Sequence, residues 1–492
     1  CSDGFWSDSF WSDSFCCDSF CCDAFFPDCF SPVPLSRRLS RLARNRHVLS
    51  LAGRGLTAAC GVLTFFLLAR VLGPGGLGAW ILYLATGTFV HMCRRGLVKT
   101  GLVRALAGMP AGERAPVLGA GWALALLLTG LAAAGVGAGS ALFPVPAGFD
   151  LFAAWFPVLV GATLPVHVAT WIAEADDRFD RVFVLNALQG LLFPLLLVGR
   201  TAWTVFTGEP AALSVAGIWA AARSAVTIQT AAFLHVLALG GASALALSLG
   251  WARLGSLSRA GRDAFWDLVQ FGRYSVGTLL GTHLLTRSDT YLLGVLLGPT
   301  AVGVYGVAQK AVRLVLVPLQ AFSATAYPSL VRHTEASAAA VSRYAHRWTL
   351  LLTLGLIPVL VVLAVGAETV VTCLGGPSYA GSAPVLQWFV LYLALAPADR
   401  MIGMLFDSIG TPQRNLMKVG VMIAVNVAGD AAVLLAGGSV AGVAAVTTLT
   451  MTAGLVAGDR LLPPSLRFRV RRFRAAAGRL RTRVHRAAAP AD

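Results

Sequence analysis

Long apolar runs separated by short polar segments dominate this chain from residue 48 to residue 462. A membrane-spanning helix needs about 20 mostly apolar residues. On that measure the sequence predicts spans over 48–71, 76–96, 116–142, 152–173, 182–206 and 211–238. It predicts six more over 268–296, 301–326, 347–366, 382–407, 414–436 and 439–462. The expected fold class is an all-α polytopic membrane protein of about 12 transmembrane helices.

The polar segments between the runs are asymmetric. Alternate connections hold Arg94, Arg95, Lys99, Arg104 and Arg114, then Arg178 and Arg181, then Arg253, Arg259 and Arg262. Arg332, Arg343 and Arg347 follow, then Arg414 and Lys418. An arm before the first span carries Arg37, Arg38, Arg41, Arg44 and Arg46, and ten arginines lie between Arg460 and Arg486. The opposite connections, "GPGGLG", "FPVPAGFD", "LGPTA" and "GGSV", have neither Lys nor Arg, and Arg200 is the expected exception. Basic residues accumulate in cytoplasmic loops. The pattern therefore predicts an even number of spans with both termini cytoplasmic.

An internal repeat divides the spans. "LGPGGLGAW" (72–80) matches "LGPTAVGVY" (297–305), and "SVAGIWAA" (214–221) matches "SVAGVAAV" (439–446), both offset by 225 residues. Two matches at one offset predict two six-helix lobes in the same orientation, a parallel repeat. The expected organisation is a low-complexity segment at 1–34, a lobe at 35–240, a cytoplasmic linker at 241–267, a second lobe at 268–462 and a basic cytoplasmic tail at 463–492.

The first thirty residues repeat a pentapeptide, x-[Ser/Cys]-Asp-x-Phe. A period of five matches neither a helix nor a strand. The segment also lacks the basic n-region and apolar h-region of a signal peptide. It is read as a disordered extension, or as sequence outside the true protein, whose removal leaves transport unchanged. It holds six of the nine cysteines, four of them in adjacent pairs unlike the spacing of a zinc site. Cys60, Cys93 and Cys373 are scattered in apolar sequence, so neither a disulfide framework nor a metal site is expected. Charged residues make up 13% of the chain, about half the ~25% of a soluble domain. Setting aside the six aspartates of the repeat leaves 39 basic against 17 acidic residues. In a soluble protein that excess would point to nucleic acid. Here membrane topology accounts for it, and no nucleic-acid partner is expected.

The seventh and eighth spans resemble polysaccharide and oligosaccharide flippases of the Wzx type, in the superfamily that also holds multidrug (MATE) exporters and lipid II flippases. The resemblance rests on Asp289 in the seventh span, then Leu-Gly-x-x-x-Gly-Pro, then Gly-x-Tyr in "LLTRSDTYLLGVLLGPTAVGVYG". "LARVLGPGGLGAW", "PSYAGSAPVLQWFVLYLAL" and "SIGTPQRNLMKVGVMIAVNVAGDAAVL" also fit, and the similarity covers roughly residues 45–462. It implies a two-lobed transporter, not an enzyme, in the bacterial inner membrane. Such a transporter would move an undecaprenyl-diphosphate-linked glycan to the outer leaflet by alternating access. The implied partners are the lipid-linked glycan and, at a further remove, a glycan polymerase or glycosyltransferases.

Ionisable residues inside spans are costly and usually face a cavity. Arg54, Arg287, Lys310 and Arg313 are the candidate cationic cavity, because Arg grips phosphate oxygens bidentately and Lys adds a point charge. Asp289 is a candidate ion-pair or coupling residue. In the alternative reading Asp289 pairs with Lys310 or Arg313 as internal glue, and Arg54 snorkels to the interface. Pro318 is a candidate hinge, since proline removes a helical hydrogen bond. In the tail, Val470, Phe473, Ala477, Leu480 and Val484 recur at helical spacing among arginines, which fits a basic amphipathic helix on anionic inner-leaflet lipid. Rival functions are a lipid II flippase, a cation-coupled multidrug exporter and a membrane glycan polymerase or ligase. The exporter is disfavoured because the first three spans hold no Asp or Glu, and the polymerase because the outer connections are short. No nucleotide-binding loop, zinc helix or nucleophile elbow occurs, so no cofactor is expected.

Overall fold

A computed structural model describes residues 46–106, 109–144, 150–207 and 214–468. The pentapeptide repeat, the basic arm before Arg46 and residues 469–492 of the tail lie outside the described residues. Described secondary structure is helical throughout: α1 (Arg46–Arg94), α2 (Thr100–Leu106), α3 (Arg114–Leu142), α4 (Asp150–Ala162), α5 (Leu164–Ala175), α6 (Phe179–Thr207), α7 (Val215–Ala225) and α8 (Ile228–Ser248). The second half contributes α9 (Arg262–Leu296), α10 (Pro299–Ala336), α11 (Ala338–Val365), α12 (Ala367–Gly375), α13 (Ala383–Ser408), α14 (Pro412–Leu435) and α15 (Val440–Leu461). Among the described residues ten helical stretches are long and apolar enough to cross a membrane. The first of them, Gly55–Leu106, is 52 residues long and contains a break at Gly73. The polytopic all-α expectation holds, and a count of twelve spans is consistent with it.

The chain divides into two compact units. One comprises Val33–Val307 with Thr372–Tyr379, and the other Ala308–Val371 with Ala380–Asp492. The first unit takes in α9, so these units and the lobes expected from the repeat are different divisions of the chain.

Within the first unit the repeat has a structural counterpart. Gly73 (φ +67°) and Gly298 (φ +82°) are repeat equivalents, and both occupy the left-handed region that favours glycine. Each precedes a proline, Pro74 or Pro299, which begins the next helical stretch where its missing N–H costs nothing. The stretches then cross backbone to backbone. A Cβ added at Gly78 would lie 1.6 Å from the Pro299 carbonyl oxygen, and one at Gly303 would lie 2.0 Å from that of Pro74. Residues 74 and 78 correspond to 299 and 303, so the contact is reciprocal. At the other end α9 meets a π-helical turn, Arg95–Lys99, where Gly96 lies against Val276 and Gly272 against Leu97.

Three placements correct the sequence reading. The sixth span is Ile228–Ser248, starting 17 residues later and ending ten residues later than the expected 211–238. Val226 (φ −118°, ψ 87°) ends α7, and Thr227 caps α8 by accepting from the Thr230 N–H. Arg94, Arg95, Lys99 and Arg104 lie in helix continuing from α1, not in a loop, and Arg94 is only 1% exposed. Lys418, expected in an inner connection, is buried in α14 and pairs with Asp399 of α13 at 2.8 Å.

Candidate functional site

A buried cation, Arg94, lies among polar groups inside the first unit. Pro165 has no N–H to donate back along the helix, and the helix is interrupted at Thr163 between α4 and α5. Ser243 of α8 bridges this break: its hydroxyl donates to the Ala162 carbonyl (2.5 Å) and accepts from the Val166 N–H (3.2 Å). Arg94 fills the space beside it. Its Nη1 donates to the Val160 carbonyl (2.9 Å) and Thr129 Oγ1 (3.3 Å), and its Nη2 donates to Thr163 Oγ1 (3.2 Å). Both threonine hydroxyls donate their own protons to helix carbonyls, so each presents a lone pair to the guanidinium. Among the described residues no carboxylate pairs with Arg94. One turn back, His91 lies 4.0 Å from His167, centroid to centroid, and Trp171 borders both rings. Lys99 pairs with Glu174 at 2.5 Å.

A second polar strip joins α9 to the latter half of α1. His283, Arg287 and Tyr291 recur every four residues and so share one face of α9. His283 Nε2 lies 3.3 Å from the Tyr291 hydroxyl, and the His283 ring meets Phe89 edge-on at 5.9 Å. Arg287 is half-buried and within electrostatic reach of His283 and Tyr291. Asp289 is 6% exposed. Its Oδ2 accepts a short hydrogen bond from Tyr305, and Ser288 donates to its Oδ1 at 3.4 Å. Tyr305, the tyrosine of the Gly-x-Tyr motif, is itself buried.

In the second unit, Lys310 is half-buried and Arg313 exposed on α10, with Arg313 Nη2 donating to Gln309 Oε1 (3.2 Å). Arg400 Nε donates to Ser323 (3.0 Å) in the same unit. Pro318 is exposed, and α10 continues as helix through it. Arg54 lies in α1, and its side chain is outside what the structure describes.

Sequence reasoning missed the Arg94–His91–His167 group. "HMCRRG" reads as a basic loop, and the signal available was the Pro165–His167 pair inside an apolar run.

Residues 200–384 match the family model described as polysaccharide biosynthesis protein. Among solved structures, the lipid II flippase MurJ in an inward closed conformation superposes with a TM-score of 0.63 at 12% identity, covering 90% of this chain and 94% of that one. An inward-facing multidrug resistance MATE family transporter of the MOP superfamily gives 0.58 at 15% identity, covering 88% and 96%. The fold is that of the MOP superfamily. No curated protein matches the chain in sequence. At these identities the two MOP-superfamily structures establish architecture, and the family model adds the link to polysaccharide biosynthesis.

Proposed function

We propose that this membrane transporter flips an undecaprenyl-diphosphate-linked oligosaccharide from the cytoplasmic to the outer leaflet of the bacterial inner membrane, by alternating access, for cell-surface glycan synthesis. One observation carries the choice among MOP-fold functions: the spans between residues 55 and 175 bury a cation and hold no carboxylate away from their ends. Between residues 55 and 175 the acidic residues are Glu113, Asp150 and Glu174, each near a helix end, whereas Arg94 is buried among neutral acceptors. An exporter of cationic drugs needs carboxylates there, and a diphosphate needs guanidinium and ammonium groups. Arg287, Lys310, Arg313 and Arg54 are the substrate-binding candidates, and Asp289 is the coupling or ion-pair candidate. The match of residues 200–384 to polysaccharide biosynthesis proteins supports a glycan cargo. The fold likeness to MurJ keeps lipid II as the alternative cargo.

The test is leaflet-resolved accumulation of lipid-linked glycan in cells depleted of the protein. Wild type or a Lys310→Ala/Arg313→Ala double variant is then restored. Flipping predicts glycan on the cytoplasmic leaflet, relieved by wild type and not by an inserted, abundant double variant. Normal glycan crossing combined with new sensitivity to cationic drugs would replace the flippase with the exporter.

A further inference from the structure

We propose that an open pocket on the first unit, at the ends of α3, α5 and α6 and the segment after α8, binds a phosphate or diphosphate group at the cytoplasmic membrane face. Its volume is about 470 Å³, and Arg114, Asp176, Asp177, Arg178, Arg181 and Arg253 line it. The substrate-binding candidates are not among these residues.

The pocket is assembled by fixed arginines around one that is left available. Asp176 accepts Arg114 on one carboxylate oxygen (2.5 Å) and Arg253 on the other (2.9 Å). Both oxygens are engaged, so one carboxylate holds two guanidinium groups from distant segments. Arg178 pairs through two hydrogen bonds with Asp180, 3.0 and 2.8 Å. Arg181 differs. Its guanidinium lies 5.4 Å over the Trp251 ring, and among the described residues it has no carboxylate partner and no side-chain hydrogen bond. A cation–π contact uses the charge and not the N–H donors, so the guanidinium can still chelate an oxyanion.

The backbone around the pocket is set on purpose. The two non-glycine residues with positive φ among the described residues are Asp177 (54°) and Arg253 (45°), and both line it. Such conformations persist where the surroundings over-determine them. Here the buried Trp122 indole donates to the Ala252 carbonyl (2.8 Å), and the backbone at Ser256 packs onto Gly119 of α3, leaving no space for a Cβ there. The strained turn thereby delivers Arg253 to Asp176 and places Trp251 under Arg181.

The ligand chemistry is a phosphate or diphosphate, from a lipid headgroup or from a soluble phosphate. The flippase reading enters only in naming the physiological carrier, a prenyl diphosphate awaiting transport.

The experiment uses the full chain in neutral phosphatidylcholine nanodiscs at low salt. Binding of a ten-carbon prenyl diphosphate and of inorganic pyrophosphate is measured by calorimetry on wild type, Arg181→Gln and Arg343→Gln. Arg343 is an exposed arginine of the other unit and controls for general surface charge. Arg181→Gln is expected to weaken binding at least tenfold, and Arg343→Gln less than threefold. Prenyl diphosphate binding at least tenfold tighter than pyrophosphate assigns the pocket to membrane headgroups, and equal binding assigns it to soluble phosphate. Absence of binding to wild type, or equal weakening by both variants, overturns the proposal. Binding is read without transport, so failure here is distinct from failure of the leaflet assay.

Discussion

At the scale of single residues, the interior shows two ways of burying charge, with different expected costs. Lys418 is 4% exposed and paired with Asp399. Asp399→Leu removes the carboxylate bonded to that ammonium; breaking a fully buried pair costs about 3–5 kcal/mol, and the partial exposure of Asp399 places this one at the lower end. Arg94 has only carbonyl and hydroxyl acceptors, and those hydroxyls keep their own backbone bonds. Arg94→Leu strands no opposite charge and is expected to cost less than about 2 kcal/mol, in the range of ordinary hydrogen-bond losses. Thermal unfolding of the two variants in detergent checks the ordering, and an equal or larger loss for Arg94→Leu contradicts it. Asp289 offers a third case. Tyr305→Phe removes a donor from a buried carboxylate, an expected loss of about 1–3 kcal/mol, part of which Asp289→Asn in the same background should recover. A neutral Tyr305→Phe would show that the bond adds nothing. Asp289 was legible in the sequence because a carboxylate in an apolar run is conspicuous. Arg94 was not, because it directly precedes another arginine, and two adjacent cations resemble the edge of a loop. Only the helix continuing through the π-turn reveals that the first faces inward and the second does not.

At the scale of elements, glycine decides how closely helices approach. At the reciprocal Gly78–Pro299 and Gly303–Pro74 crossing there is no room for a methyl group. Gly78→Ala or Gly303→Ala must push the two stretches apart, and overpacking of this kind costs about 1–3 kcal/mol or more. Gly240→Ala, in α8 with no neighbouring atom near the new Cβ, is expected to be neutral or stabilising by up to ~1 kcal/mol. If all three variants unfold at the same temperature, the crossing is not a tight contact in the membrane. The offset of 225 residues announced two equivalent segments, and apolar length placed most helices to within a few residues. Sequence could not show that the equivalent segments touch each other, since that depends on tertiary placement. The sixth span was misplaced for a local reason. Apolar residues continue on both sides of Arg223 and Gln229 in "WAAARSAVTIQTAAF", and the Thr227 cap marks where one helix stops and the next begins.

At the scale of the whole molecule, the count and direction of membrane crossings rest on α9. It is 35 residues long yet falls outside the ten apolar candidates. Its polar content includes the His283, Arg287 and Asp289 positions described above. A helix with that content crosses a bilayer only where those groups meet protein or a cavity. Their contacts with α1 and Tyr305 supply such an environment. If α9, α10 and α11 each cross, residues 259 and 373 lie on opposite sides, with Arg259 in the basic inner connection. Cys373 is exposed, and its carbonyl receives Arg70 Nη2 at 2.7 Å from near the end of the first expected span. With the other cysteines replaced, a membrane-impermeant maleimide is expected to label Cys373 in intact cells. An introduced Arg259→Cys, in a fully cysteine-free background, should react only after permeabilisation. Labelling of both positions from the same side would mean that the polar helix does not cross. The positive-inside orientation would then fail with it, because an odd number of crossings would leave the basic connections divided between the two faces.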